Sequence, residues 1–275
     1  EPNRAYEEFL ADSDSSLEPP DIKVEVHPLS DAPTHPSGDT KIFDSEQSWS
    51  LFRDGTHYLL SLAPPFHNQD PVWLARFDSP VSRVDVFLNA SDGVMPDHPV
   101  RYPLDQFLLV CHLATRSGLI LHAAGATFGS AGLVFAGRSR AGKSTLCRQL
   151  QSDRRIDLLS DDRIIVRDID GVFRAFGTPW PGEAGIAKNT SAPMKCLFFL
   201  SHGAENRVEP INRQEALANL LPIASIPWYE KHLVSHALNT CDKLLNRIPA
   251  YNLCFRPDSS VAGALNDFVN QKNLA

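Results

Sequence analysis

Nine consecutive residues, Gly137, Arg138, Ser139, Arg140, Ala141, Gly142, Lys143, Ser144 and Thr145, constrain this chain more than any other stretch. They satisfy G-x-x-x-x-G-K-[ST] at every fixed position, a pattern that demands a buried strand, a tight turn and a helix in that order. The flanks agree. Gly132 to Ala136 is a short apolar run suited to a strand, and Leu146 and Leu150 repeat at helical spacing after the turn. Gly137 and Gly142 let the backbone turn successive N–H groups onto phosphates. Lys143 can reach the β- and γ-phosphates, Ser144 can offer a hydroxyl to Mg²⁺, and the helix adds the positive end of its dipole. The segment reads as a site for a nucleoside triphosphate with Mg²⁺.

The strand that feeds this turn has an unusual partner. Leu119 to Phe128 and Gly132 to Ala136 are separated only by Gly129 and Ser130, a short glycine turn of the kind that joins antiparallel strands. The motif strand is therefore expected as the second arm of a hairpin, not as part of a parallel βαβ unit. Upstream, Ile22 to Val26, the runs on either side of Asp54-Gly55, Trp73 to Phe77 and Val81 to Leu88 read as strands of a mostly antiparallel unit. Polar, breaker-rich loops fill 11–21 and 28–40, and a break falls near 90–99. Pro103 to Arg116 carries a helical stripe. Downstream come a strand at Ile156 to Ser160, a hairpin around Asp170-Gly171, a strand at Cys196 to Leu200 and a helix at Gln214 to Leu221. A second helix runs from Tyr229 to Leu245, and a strand at Tyr251 to Phe255 precedes a last helix capped by Asp258 or Ser259. The expected class is α/β with a mixed, largely antiparallel sheet. A β-rich portion spans 1–100 and the phosphate-loop core spans 101–275.

Composition narrows the partners. The net charge of −7 and the absence of a basic, aromatic-interleaved patch argue against nucleic acid. No apolar run approaches the ~20 residues of a bilayer span, so a membrane is not expected and the cytoplasm is the default. The chain opens on Glu1 without a charged-then-apolar signal, as a trimmed start would. Five scattered cysteines without C-x-x-C spacing point to reduced, buried thiols rather than disulfides or zinc. A homo-oligomer is left open.

Phosphoryl transfer needs a held triphosphate, a metal to bridge its oxygens and a carboxylate placed to take the proton of the attacking hydroxyl. Asp161 and Asp162 end the apolar strand Ile156 to Ser160, where such acids belong, although Asp is also common in solvated turns. His122 lies on the strand before the motif strand, among aliphatics that would equally suit a core histidine. Glu183 ends the loop Gly177-Thr-Pro-Trp-Pro-Gly-Glu, and Lys188 follows it; both are candidates for contact with substrate.

Taken in order, these residues resemble the HPr kinase/phosphorylase family and related kinases, which share a nucleotide-binding core with ATP-dependent phosphoenolpyruvate carboxykinases. The resemblance spans about residues 100 to 200 and rests on motif order. It implies ATP with Mg²⁺ as cofactors, Ser144 and Asp162 as metal ligands, Asp161 as general base, and His122 and Glu183 as supporting site residues. The loop carries Ser139-Arg140-Ala141-Gly142 where that family has Ser-Gly-x-Gly, and His122 is followed by Ala123 rather than Gly. The family's Glu-Ile-Arg-Gly segment, tied to phosphorylase activity, has no counterpart. A one-way kinase acting on a hydroxyl, most plausibly serine, of a protein, peptide or small molecule is the reading the resemblance implies. A nucleotide switch or hydrolase, using Asp168-Ile-Asp-Gly171 as D-x-x-G, and a non-catalytic nucleotide sensor are the alternatives.

Overall fold

Alternation of apolar and polar residues, interrupted by glycine turns, builds two sheets in separate units. In the computed structural model the described residues are 4–10, 19–33, 40–45, 49–62, 73–78, 81–88, 100 and 102–274. One unit comprises Asp12–His112, the other Glu1–Ala11 with Leu113–Ala275. The break expected near 90–99 and most of the loops expected at 11–21 and 28–40 lie outside the described residues.

Among the described residues of the first unit are β1 (Lys23–Pro28), β2 (Lys41–Asp44), β3 (Trp49–Asp54), β4 (His57–Leu62), β5 (Trp73–Asp78) and β6 (Arg83–Leu88). They form one sheet in the order β1-β6-β5-β4-β3-β2, antiparallel except for the parallel β1–β6 pair. The Asp54-Gly55 turn joins β3 to β4 as its residues require, with Gly55 at φ 60°. Phe52, Leu59, Leu74 and Phe87 make an apolar cluster with Leu29 and Ala32. Phe107, on the helix α2 (Leu104–Ala114), packs against Trp49 and Phe77. Strand β2 had no clear sequence signal, because its four residues are all exposed.

The second unit holds α1 (Arg4–Glu7), β7 (Gly118–Phe128), β8 (Ala131–Ala136), α3 (Lys143–Leu150), β9 (Ile156–Ser160), β10 (Arg163–Ile169), β11 (Val172–Phe176), β12 (Ser191–His202), β13 (Arg207–Pro210), α4 (Arg213–Leu220), α5 (Lys231–Arg247), β14 (Ala250–Phe255) and α6 (Ser260–Gln271). Strand β8 pairs antiparallel with β7 and parallel with β12, and β12 pairs parallel with β14. The hairpin expected on the N-terminal side of the motif is therefore present. Strand β11 pairs with both β10 and β12, so β7, β8, β12, β11 and β10 form a closed circuit.

The period-2 alternation of β8 divides the core into two layers. Leu133 and Phe135 join Leu146 and Leu150 of α3 and Val261, Leu265 and Phe268 of α6. Val134 and Ala136 face the opposite side, with Ala216 and Leu220 of α4 and Ala237, Cys241 and Leu244 of α5. All five cysteines are free, four of them buried. Burial pushes the thiols of Cys147 and Cys196 up to about 12 and that of Cys241 to about 11. No described helix is long and apolar enough to cross a membrane.

Candidate functional site

The motif segment leaves β8 at Ala136, and its backbone groups are used unequally. Several carbonyls are occupied: Lys143 Nζ donates to Gly137 O at 3.0 Å and to Arg138 O at 3.2 Å, and a His202 ring nitrogen lies 3.1 Å from Arg140 O. The amides are not. Among the described residues, the N–H groups of Arg138, Ser139, Arg140, Gly142, Lys143 and Ser144 bond no acceptor, whereas Gly137 N donates to His122 O and Ala141 N to Arg138 O. Gly142 sits at φ 95°, and a Cβ there would lie 2.8 Å from the His202 ring and 2.9 Å from Phe255, so only glycine fits. A set of unspent amides at the start of an eight-residue helix is suited to an anion.

Lys143 is buried, with 6% of its surface exposed. Burial lowers its pKa, while the negative charges of Asp162 and Asp161 pull the other way. Asp162 and His122 form a pair beside it: His122 Nε2 lies 3.1 Å from Asp162 Oδ1, and Arg163 Nη1 lies 2.9 Å from Asp162 Oδ2. Burial alone would raise the Asp162 pKa. The His122 hydrogen bond and the charges of Arg163, His122 and Lys143 outweigh it and hold the carboxyl below its ordinary value. The pairing is fixed by register: His122 of β7 stands opposite Arg163 of β10, and Ala123 N donates to Asp162 O.

The expectation for Asp161 needs correction. Asp161 and Asp162 form the bend between β9 and β10, and the Asp161 carboxylate makes its hydrogen bonds elsewhere than to His122. Its carboxylate is fully buried and accepts from Gly182 N at 2.8 Å, Ala184 N at 2.7 Å and Ile186 N at 3.1 Å. A general base must meet the hydroxyl it deprotonates; this carboxylate instead anchors the loop after β11. Gly182 is needed for that approach, since a Cβ on it would lie 2.7 Å from Asp161 Oδ2.

The structure thus brings together Lys143, Asp162 and His122, with Ser144 half-buried on the first turn of α3. Glu183 is exposed on the loop that Asp161 anchors, and its carbonyl accepts from Arg148 Nη2 at 2.8 Å. Lys188 is not part of the group: it pairs with Glu8 at 2.7 Å and lines a separate cavity of about 430 Å³ with Thr127 and Asp157. Two residues escaped the sequence reading. Arg163 could have been found as the cation next to Asp162, but His202 carries no local signal, because only the parallel β8–β12 pairing brings it to Arg140. The D-x-x-G segment is a hairpin turn, with Asp170 at φ 49° and Gly171 at φ 84°, and Asp168 is paired with Arg247 at 2.8 Å.

Comparison with known families gives a match over residues 104–271 to the model for SynChlorMet cassette protein ScmC. This chain belongs to the ScmC family. The matched span contains the motif loop, His122, Asp162 and Arg163 together. No curated protein matches. Among solved structures, the Hpr(Ser) kinase/phosphatase from Coxiella burnetii is similar over 56% of this chain and 90% of its own, at 14% identity and a TM-score of 0.32.

Proposed function

We propose that this ScmC-family protein is an Mg-ATP-dependent kinase that phosphorylates a hydroxyl, foremost that of serine, on a protein, peptide or small molecule. The observation that carries the proposal is the His122–Asp162–Arg163 cluster beside a buried Lys143, at the foot of a loop with unspent amides. The loop amides and Lys143 would hold the phosphates. The Ser144 hydroxyl and the Asp162 carboxylate are hard oxygen donors that suit Mg²⁺. Bound there, Mg²⁺ would neutralise charge on the phosphate oxygens.

The acceptor oxygen attacks the γ-phosphorus, the new P–O bond forms as the bond to the β-phosphate oxygen breaks, and ADP leaves. The acceptor proton passes to the His122–Asp162 pair, in which the carboxylate steadies a protonated imidazole. The His122 hydrogen bond, with the charge of Arg163, favours the ionised Asp162 that this role needs. Asp161 takes no direct part; it holds the 177–190 loop, on which Glu183 remains the candidate for acceptor contact.

Intact-mass analysis of candidate hydroxyl-bearing peptides and metabolites after incubation with Mg-ATP tests this reading. A gain of one phosphoryl group by an acceptor, lost in His122→Ala and Asp162→Asn, supports it. Release of phosphate from ATP at the same rate with and without every acceptor would favour a hydrolase instead.

A further inference from the structure

Arg140 stands at φ 68°, a left-handed backbone conformation in which an L side chain is disfavoured and glycine is at ease. Tertiary contacts hold it there. A His202 ring nitrogen lies 3.1 Å from the Arg140 carbonyl, and that ring packs against buried Phe255 with centroids 5.8 Å apart. A conformation that glycine would adopt freely is imposed on an arginine, which points to the side chain as the reason. We propose that the Arg140 guanidinium reads a carboxylate on the acceptor, so that the kinase selects hydroxyls in acidic surroundings; the inference rests on the kinase reading above and names its substrate class.

Two further observations separate this guanidinium from the groups that would hold phosphate. The first is that it is unengaged. The chain has 33 acidic residues against 26 lysines and arginines, so carboxylate partners are plentiful, and arginines elsewhere use them: Arg155 pairs with Asp153, Arg163 with Asp162, Arg213 with Asp242 and Arg247 with Asp168. Among the described residues the Arg140 guanidinium bonds or pairs with nothing, and neither does that of Arg138 two residues earlier. The second is where it stands. Lys143 is buried, with its ammonium on Gly137 O and Arg138 O, whereas Arg140 is exposed. The loop is rooted at the reactive pair, because Gly137 N donates to His122 O, and Arg140 follows Gly137 closely enough that their Cα atoms are at most about 11 Å apart.

Charge balance favours an acidic acceptor. The loop amides, the Lys143 ammonium, the positive end of α3 and Mg²⁺ already suit a triphosphate. A guanidinium beyond those leaves the rim of the loaded site positive, and its fork of fixed N–H donors matches a carboxylate in a bidentate pair. Glu183, the acceptor candidate on the 177–190 loop, would repel the same carboxylate, so the acidic flank of the acceptor belongs on the Arg140 side.

Three synthetic peptides, each with a central serine flanked on both sides by Asp, by Asn or by Lys, test this with the full chain and Mg-ATP, with kcat/KM read by intact mass. The expected order is Asp over Asn over Lys, with Asp at least ~10-fold above Asn and the margin shrinking as KCl rises. Arg140→Gly should bring the Asp-to-Asn ratio close to unity, and Arg140→Lys, which keeps the charge, should retain part of it. The ratio is the readout, so a change in basal rate does not disturb it. Arg140→Gly should unfold at the same urea concentration as the unaltered chain or a higher one, since glycine takes φ 68° without strain; the lost preference is then not a loss of fold. Equal kcat/KM for the Asp and Asn peptides in the unaltered chain would overturn the inference and leave the kinase reading standing. So would a ratio that survives in Arg140→Gly while the KM for ATP rises, which would assign the guanidinium to the nucleotide. If none of the three peptides gains a phosphoryl group, serine in a peptide is not the acceptor, and this inference falls with that part of the kinase reading.

Discussion

Two loops of the second unit, 137–142 and 177–190, are both rich in glycine and both lie close to the Asp161-Asp162 step, yet their backbones are used in opposite ways. In the first, Lys143 and His202 occupy carbonyl oxygens and the amides are left over. In the second, the amides of Gly182, Ala184 and Ile186 are consumed by one buried carboxylate. A loop whose N–H groups are spent inside the protein is scaffold, and one whose carbonyls are spent is left with donors for an anion. The comparison separates two adjacent aspartates that look equivalent in sequence: Asp161 holds the 182–186 backbone, and Asp162 pairs with His122 and Arg163 beside Lys143.

The sharpest way to break this comparison is Asp161→Ala. It leaves three amides in a dry site without an acceptor and should cost about 3 kcal/mol or more of stability, read as a lower urea midpoint. Catalytic loss in an Asp161→Ala protein of wild-type stability would return Asp161 to the role of base.

Lys143→Met probes the other loop. On the proposed kinase function it should lower phosphoryl transfer by ~10²–10³-fold, because the charge proposed to hold the phosphates is gone. Its melting temperature should hold or rise, since burial already disfavours the ammonium in the folded state. A destabilised Lys143→Met protein would mean that the lysine's bonds to Gly137 and Arg138 serve as scaffold after all.

Gly182→Ala is a gentler test of the anchored loop. The added methyl would sit 2.7 Å from the Asp161 carboxylate, and the backbone shift it forces should cost ~1–3 kcal/mol. Unchanged unfolding would show that the 182–186 segment tolerates a different path.

The smallest effect is pH-dependent. Asp162 has its folded-state pKa lowered, so its ionised form favours the fold; the contribution is complete above the unfolded value of about 3.9 and is lost as pH falls through the lowered one. Urea midpoints of the unaltered chain and Asp162→Asn should differ above that range and converge below it. Parallel curves would indicate that His122 and Arg163 do not stabilise the carboxylate.

Much of this was legible in the chain itself. The order strand, glycine turn, helix around Gly137 to Thr145, the hairpin enforced by Gly129-Ser130 and the pairing turn at Asp170-Gly171 are consequences of local conformational limits, which a sequence carries residue by residue. The alternation that sends Val134 and Phe135 to opposite layers was likewise readable, because side-chain direction in a strand is a period-2 property. Strand β13 was not, since its short, mostly exposed run Arg207–Pro210 becomes a strand only by pairing with β14.

The motif and the residues His122, Asp161 and Asp162 could be named from sequence, but their division of labour could not. Which of two neighbouring aspartates faces inward depends on which amides the distant 182–186 segment presents, a contact about twenty residues away. The capping of Arg140 by His202 likewise arises from parallel pairing of strands far apart in the chain. Sequence determined the local conformations and the chemical inventory; tertiary structure decided which groups were consumed by the fold and which were left free to react, because satisfaction of a polar group depends on every neighbour in space.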